Sequence, residues 1–435
     1  MRKTRTPAYE PSGWVRPFAA GALLLTAPLI SCGALDEPLA TSEAAISSAT
    51  ARILEFEFEG EVIGRANVEA RKAVVSQLMY VQGVLTTARH GNGQVGNVKL
   101  SEMTETAAGD TKRITYRASL PVAWPEDLEV PEAYTLTVPR DVTTLPAFDK
   151  KYSGSCGAQQ HGSGTFWHDF DPRSPRCNFV PGDVVVMRVA VGPHPNETKN
   201  KYPEYDQFWA DDRLDVVAIF GLIEKKQADD YGYSEATRFI RSIVEMLDEP
   251  NSKRNETSKS ILTDVTITGK AIVGGRARDV NVDVIVVQKL ERVGPDFDAR
   301  YDTLSEKADI VMYNGHTESG QGINTLARKG KVAAGKYQLF LLNGCQSFAL
   351  IDSTMTDRRR DANGLEADPA GTRFLEVIGN ALPGYAHTLA SVSATVFAAA
   401  VHPDEPKNYN ALMSEMPKAN VVVVFGEEDN RFEPR

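Results

Sequence analysis

The chain has 435 residues, 42% of them hydrophobic and 24% charged, with a formal net charge of −10 at pH 7. An acidic balance of this size argues against nucleic acid or an anionic lipid surface as a partner, because either is bound by a basic face. The length supports about two domains with full-sized cores.

Residues 1–31 read as a targeting segment. Arg2, Lys3, Arg5 and Arg16 make a basic start, and the apolar run Phe18 to Ile30 is shorter than the ~20 residues of a spanning helix. The sequence Leu29-Ile30-Ser31-Cys32 resembles a bacterial lipobox. That resemblance implies cleavage before Cys32 and lipidation of its thiol, with an ordinary signal peptide as the alternative. Gly33 in place of Asp resembles outer-membrane sorting, so the expected location is the bacterial cell envelope, lipid-anchored at the outer membrane. No second apolar run is long enough to span a bilayer, which leaves the lipid anchor as the membrane link. Loss of residues 1–31, with four basic residues and Glu10, takes the formal charge from −10 to −13. Residues 32–50, rich in Ala, Ser and Thr, read as a flexible tether reaching about 25 Å.

Residues 51–192 read as an α+β domain of structural or binding role. Leu54, Phe56 and Phe58 alternate with Glu55, Glu57 and Glu59, the pattern of a half-buried strand with a charged outer face. Val74, Leu78, Val81 and Leu85 fall on one stripe of a helix over residues 68–87, which His90-Gly91-Asn92-Gly93 stops. Further strands are predicted over 99–105, 112–120, 134–138 and 184–191. Cys156 and Cys177 flank a loop rich in Gly, Pro and aromatics; in an oxidising compartment they are expected to form a disulfide. The alternative is a zinc site of Cys156, His161, His168 and Cys177, whose spacings match no common finger. The preferred reading therefore has no metal and no cofactor. Residues 193–212 read as a linker and docking segment, with Tyr202, Tyr205, Phe208 and Trp209 packed between domains.

From residue 213 to 435, short apolar runs alternate with helical patterns, the signature of a mostly parallel sheet with helices on both faces. Strands are predicted over 215–221, 264–273, 281–287, 310–313, 339–342 and 421–425. Helices are predicted over 234–247, 297–306, 321–331, 372–381 and 386–401. Residues 251–259 and the polar insertion 352–369, with Arg358-Arg359-Arg360, read as loops.

Two of the strands organise this half. Ile310 to Tyr313 and Leu339 to Leu342 are each followed by Asn-Gly and then by a reactive side chain, His316 and Cys345, which lie 29 residues apart. A helical crossover between them makes the strands parallel neighbours and sets both residues at the carboxyl edge, where open α/β sheets place their chemistry. A thiol nucleophile needs a base to take its proton and return it to the leaving group, and an imidazole can do both. With Cys32 and the 156/177 pair assigned, Cys345 is the odd thiol of an exported chain, a candidate reactive one.

The order strand, Asn314-Gly315-His316, helix, strand, Leu341-Leu342-Asn343-Gly344-Cys345-Gln346-Ser347 resembles the caspase-like (clan CD) cysteine peptidases. It is closest to the gingipain-like branch, and the resemblance covers roughly residues 213–400. It implies a caspase-like α/β fold preceded by a smaller α+β domain, a His316/Cys345 dyad acting on a peptide or protein substrate, and an oxyanion site made by the Thr317 and Cys345 backbone N–H groups. Family members usually carry Gly after the histidine; here it is Thr317. Two other readings stand beside this one. The first is a catalytically inactive binding or scaffold lipoprotein on the same fold. The second is an α/β-hydrolase-like enzyme with Cys345 on the elbow and His387 or His402 as base, although Asn343 and Ser347 occupy the positions where an elbow has Gly.

The lipobox reading has a direct test. Expressed in a bacterium, the chain is expected to partition into detergent and to yield an N-terminal diacylglyceryl-cysteine peptide. A Cys32→Ala form that still fractionates with membranes overturns the reading.

Overall fold

The computed structural model describes residues 46–157, 165–224, 229–317, 321–382, 384–417, 422–426 and 432–434. Its strands form two sheets. The described chain opens with β1 (Ile46–Ser48), which pairs at the edge of the larger sheet with Ile46 opposite Phe425. The last residues expected in the tether are therefore fixed.

The smaller sheet contains β2 (Ala51–Arg65), β3 (Asn92–Gly93), β4 (Lys99–Ala108), β5 (Thr111–Pro125), β6 (Ala133–Pro139) and β7 (Val184–Pro193). Its order is β3-β5-β2-β7-β6, with β4 added to β5, and each pairing is antiparallel. In β2 the period of two holds: Phe56 and Phe58 are buried, Glu57 and Glu59 exposed. The helix Ala70–Thr87 places Val74, Leu78, Val81 and Leu85 in the same core cluster, all fully buried. Each such side chain contributes roughly 1.5–3 kcal/mol before ordering entropy is counted.

The larger sheet is completed by β8 (Arg213–Gly221), β9 (Asp248–Arg254), β10 (Thr263–Val273), β11 (Arg276–Val287), β12 (Ile310–Asn314), β13 (Gln338–Asn343), β14 (Leu375–Asn380) and β15 (Val422–Gly426). Its nine strands run in the order β1-β15-β14-β13-β12-β8-β11-β10-β9. The central strands from β14 to β11 are mutually parallel. The flanks, β15 with β1 and β10 with β9, are antiparallel. The fold is thus mixed α/β, and parallel order is confined to the sheet's centre. One cause lies in the sequence: Gly274 and Gly275 both take positive φ, 58° and 70°, and close a two-residue hairpin that forces β10 back against β11.

Helices cover both faces of this sheet. Val216, Ala218 and Phe220 face a cluster with Phe239 and Ile243 of the helix Tyr231–Met246 and with Val396 and Phe397 of the helix Leu389–Val401. Val217 and Ile219 face the other, with Phe297 and Tyr301 of the helix Pro295–Ser305 and Ile323 and Leu326 of the helix Gln321–Arg328. No helix among the described residues is long and apolar enough to cross a membrane.

Four expectations are corrected. Residues 372–381 contain the strand β14 rather than a helix. It is buried on both faces, so the alternation that marks a strand is lost, and Glu376 in its middle is matched by Lys201 (Nζ–Oε1 2.8 Å) and the hydroxyls of Tyr337 and Tyr409. Residues 251–254 belong to β9, an edge strand whose seven residues are all exposed; Pro250 and its charges suit an edge that must not recruit another strand. The insertion 352–369 carries a helix, Thr354–Asn363, docked by Arg358, whose guanidinium donates to the carbonyls of Ala327, Lys329 and Gly330 at the end of the preceding crossover helix. Tyr205, Phe208 and Trp209 pack into the larger sheet's own core, and Trp209 Nε1 donates to Ala400 O at 3.0 Å. They do not form a seam between the two sheets.

Cys156 and Cys177 are disulfide-bonded, their Cα atoms 4.5 Å apart. The two sulfurs are thereby removed from the zinc set considered above. The bond closes a loop with a sequence separation of 21 next to the smaller sheet's core. Replacing both cysteines by Ala is expected to lower unfolding free energy by about 3 kcal/mol. Denaturant titration reads this as a lower midpoint; an unchanged midpoint contradicts it.

Candidate active site

β12 and β13 are parallel neighbours in register, Ile310 opposite Leu339 and Asn314 opposite Asn343. Both chains then turn through a glycine. Gly315 N extends the ladder by donating to Asn343 O at 3.3 Å. A Cβ on Gly344 would lie 2.7 Å from Gly315 O and 2.8 Å from Thr317 Cγ2, so the two turns approach as closely as they do because position 344 has no side chain. His316 and Cys345 therefore leave adjacent strand ends at one edge of the sheet. Thr317 Oγ1 donates to Cys345 O at 2.9 Å and ties the second turn to the first.

Beneath the turns lies a buried amide network. Asn343 Nδ2 donates to Asn314 Oδ1 at 2.8 Å, Asn380 Nδ2 donates to Asn343 Oδ1 at 3.1 Å, and Ser393 Oγ donates to Asn314 Oδ1 at 2.8 Å. Each asparagine is the last residue of its strand, so the network levels the ends of β12, β13 and β14. The sequence marks Asn314 and Asn343 only as the Asn-Gly boundaries of the two strands. Their doubled occurrence before Gly, with Asn380 closing the next strand, is the signal that could have exposed the network.

His316 is half-buried, and its Nε2 lies 2.7 Å from Ile223 O. A carbonyl can only accept, so Nε2 carries a proton, and in the neutral ring the lone pair is on Nδ1. Ile223 is positioned in turn by Asp230, which is 5% exposed and whose carboxylate accepts from the N–H groups of Ile223 (3.0 Å), Glu224 (2.6 Å) and Gly232 (2.6 Å). Asp230 is the N-cap of the helix Tyr231–Met246, which starts ahead of the 234–247 span predicted from sequence; its hold on the histidine's acceptor is visible only in three dimensions. Tyr313 OH donates to His316 O at 2.6 Å and fixes the backbone as well.

Cys345 is the free cysteine among the described residues and is half-buried. Its Sγ donates to Gly384 O at 3.6 Å, and no hydrogen bond joins thiol and imidazole. Burial pushes the thiol above its ordinary value, with the backbone at Gly384 and at Cys345 itself working in the opposite direction. The turn around it is rigidly held. Gln346 adopts a left-handed conformation (φ 52°) and donates from Nε2 to Thr86 Oγ1 at 2.9 Å, at the end of the helix Ala70–Thr87. Ser347 Oγ donates to Leu342 O at 2.6 Å and accepts from Asn380 N at 2.8 Å. Among the described residues, neither the Thr317 nor the Cys345 backbone N–H is committed to a backbone carbonyl outside the helices and strands.

The smaller sheet braces this turn, both sheets belonging to one compact unit. Ala349 and Leu350, in the short helix after Cys345, pack into the smaller sheet's core. A Cβ on Gly96 would meet Ile351 O at 2.2 Å.

The other candidates fall elsewhere. Cys32 and His161 lie outside the described residues, and His168 sits beside Asp169 at 3.7 Å. His387 is exposed with its ring 5.7 Å from Tyr385, and His402 is exposed with Nδ1 2.8 Å from Ala398 O; neither hydrogen-bonds Cys345. No protein-family model matches the chain, and no curated protein matches it.

The raised thiol predicts the reactivity of the resting protein. The rate of Cys345 alkylation by iodoacetamide, followed by peptide mapping, is expected to climb with pH along a curve displaced to the alkaline side of a free cysteine's, because only the thiolate reacts. An inflection below that of free cysteine would instead reveal a resting thiolate–imidazolium pair.

Proposed function

We propose that this chain is a membrane-tethered cysteine endopeptidase of caspase-like, gingipain-branch type. His316 and Cys345 are its dyad, and the Thr317 and Cys345 N–H groups its oxyanion donors. A lipid on Cys32 holds it at the bacterial outer membrane, where it acts on peptide or protein substrates. The observation that carries the reading is the in-register parallel pairing of β12 with β13, which brings to one strand edge a histidine whose Nδ1 has no partner among the described residues and the free thiol. The parallel centre from β14 to β11 supports a caspase-like core, with the antiparallel flanks as additions.

In this reading the thiol leaves the Gly384 carbonyl by a rotamer change and passes its proton to His316 Nδ1. The thiolate then attacks the scissile carbonyl, and its oxygen takes up the negative charge facing the two N–H groups. The imidazolium protonates the leaving amine, and water drawn in by the neutral imidazole releases the acid. Asp230 acts through Ile223 as a positioning residue, keeping Nε2 protonated and the ring aimed.

A second reading, an inactive scaffold or binding lipoprotein on the same fold, is favoured by the raised thiol, its engagement with Gly384 O and the Thr317 methyl packed at Gly344. Cleavage of a casein-type substrate separates the two. Cys345→Ala and His316→Ala are each expected to remove several orders of magnitude in rate with little change in Tm. Asp230→Asn is expected to lower kcat more than it raises KM. Mutants as active as wild type overturn the peptidase reading; a wild type that never cuts, with Cys345 inert to alkylation, leaves the scaffold.

A further inference from the structure

Among the buried residues of the helix Tyr231–Met246, Glu235 is the charged one. It lies with Ala236, Phe239 and Ile243 and is fully covered. Its Oε1 takes Arg238 Nη1 at 2.6 Å, and the Arg238 side chain is 59% exposed, so the balancing charge stands on the solvent side. Its Oε2 accepts from Ala390 N at 2.9 Å. Ala390 sits in the first turn of the helix Leu389–Val401, where backbone N–H groups have no partner within the helix. That helix has a threonine at its own cap position, but Thr388 Oγ1 donates to Tyr385 O at 2.8 Å and makes no cap bond. A buried carboxylate is a costly way to satisfy one N–H, and such a charge adds little stability compared with an apolar side chain of its size. What it does add is a fixed geometry. Apolar contact between the two helices, Phe239 against Phe397 with ring centres 6.4 Å apart, has no preferred direction, whereas the bonds of Glu235 admit one relative setting.

Both helices begin at the edge where His316 and Cys345 emerge, and each is tied to one of them. The first starts from Asp230, which holds Ile223, and Ile223 O accepts from His316 Nε2. The second is tied to the layer beneath the two turns: Leu389 O accepts from Asn343 Nδ2 at 3.3 Å, and Ser393 Oγ donates to Asn314 Oδ1. Gly384, whose carbonyl takes the Cys345 thiol, lies just ahead of its first turn. Glu235 therefore closes a ring of contacts that runs from the imidazole through Asp230 to one helix, and back through Leu389 and Asn343 to the strand that carries Cys345.

We propose that Glu235 is a positioning residue, holding the acceptor of His316 at a set distance from the strand that presents Cys345. The inference rests on the dyad reading given above. Glu235 touches neither reacting side chain and acts through the two helices.

The test uses the full chain and two readouts: cleavage of a casein-type substrate, and the proton NMR signal of His316 Nε2–H, which bonding to Ile223 O shields from exchange. Glu235→Met, of similar volume but without an acceptor, is expected to lower kcat by roughly tenfold to a hundredfold at little cost in KM, and to broaden the ring proton. Glu235→Gln keeps an oxygen for Ala390 N and is expected to restore both to near the wild-type values. Because Glu235→Met could lose its fold, Arg238→Ala, a change on the solvent side that frees Oε1, is read in the same way; a smaller fall in kcat and a partly broadened signal are expected. A lower Tm with kcat and the ring proton unchanged makes Glu235 a brace between helices and overturns the proposal, as does Glu235→Gln being as impaired as Glu235→Met. If the wild type never cleaves, the dyad reading falls by that result alone, while the ring proton still decides whether Glu235 positions His316.

Discussion

The side-chain amide of Asn343 holds the site together. It donates to Asn314 on one side and accepts from Asn380 on the other, so three parallel strands end at the same height. Buried amides have only a few acceptable arrangements, because each missed hydrogen bond costs about 1–3 kcal/mol. A one-residue slip of β12 against β13 would break the chain of amides and also turn every apolar side chain of the strand to the opposite face. The relative position of the His316 and Cys345 backbones thus follows from packing and amide pairing in the layer below, and does not depend on any attraction between the two side chains.

The second constraint comes from outside the larger sheet. The turn after Cys345 needs Gln346 in a left-handed conformation, which costs a non-glycine residue of order 1 kcal/mol or more. That conformation is held by the bond to Thr86 and by Ala349 and Leu350 sunk in the smaller sheet's core. The smaller sheet thereby acquires a structural purpose: it forms the wall against which the Cys345 turn is pressed.

Much of this was readable in the residues. Short apolar runs bounded by Asn-Gly identified β12 and β13 and their shared edge, and the alternation of Phe and Glu identified β2. What escaped had a common cause, since polar residues fully buried by tertiary partners look like surface residues in a linear chain. Glu376 in β14 broke an apolar run whose charge is neutralised by Lys201, 175 positions away. Arg358 and Arg359 sat in a polar stretch and read as solvent-exposed, whereas one caps a helix and the other is buried. Asp230, outside the predicted span 234–247, drew no attention in the sequence. The thiol is the reverse case, where chemistry at a strand end suggested a reactive cysteine and burial raised it, against the opposing pull of the Gly384 backbone.

The larger sheet is closed on one side by the earliest and latest described strands, β1 against β15, with Ser48 Oγ donating to Val422 O across 374 positions. A chain emerging from the ribosome holds β1 long before its partner exists. Glu376 likewise waits in β14 for the Tyr409 hydroxyl. Such a topology withholds its closure until β15 is made, so a product interrupted before β15 would carry the His316 and Cys345 strands beside an unsealed, charge-frustrated edge. An exposed β14 edge thus distinguishes a chain still lacking β15 from the folded one.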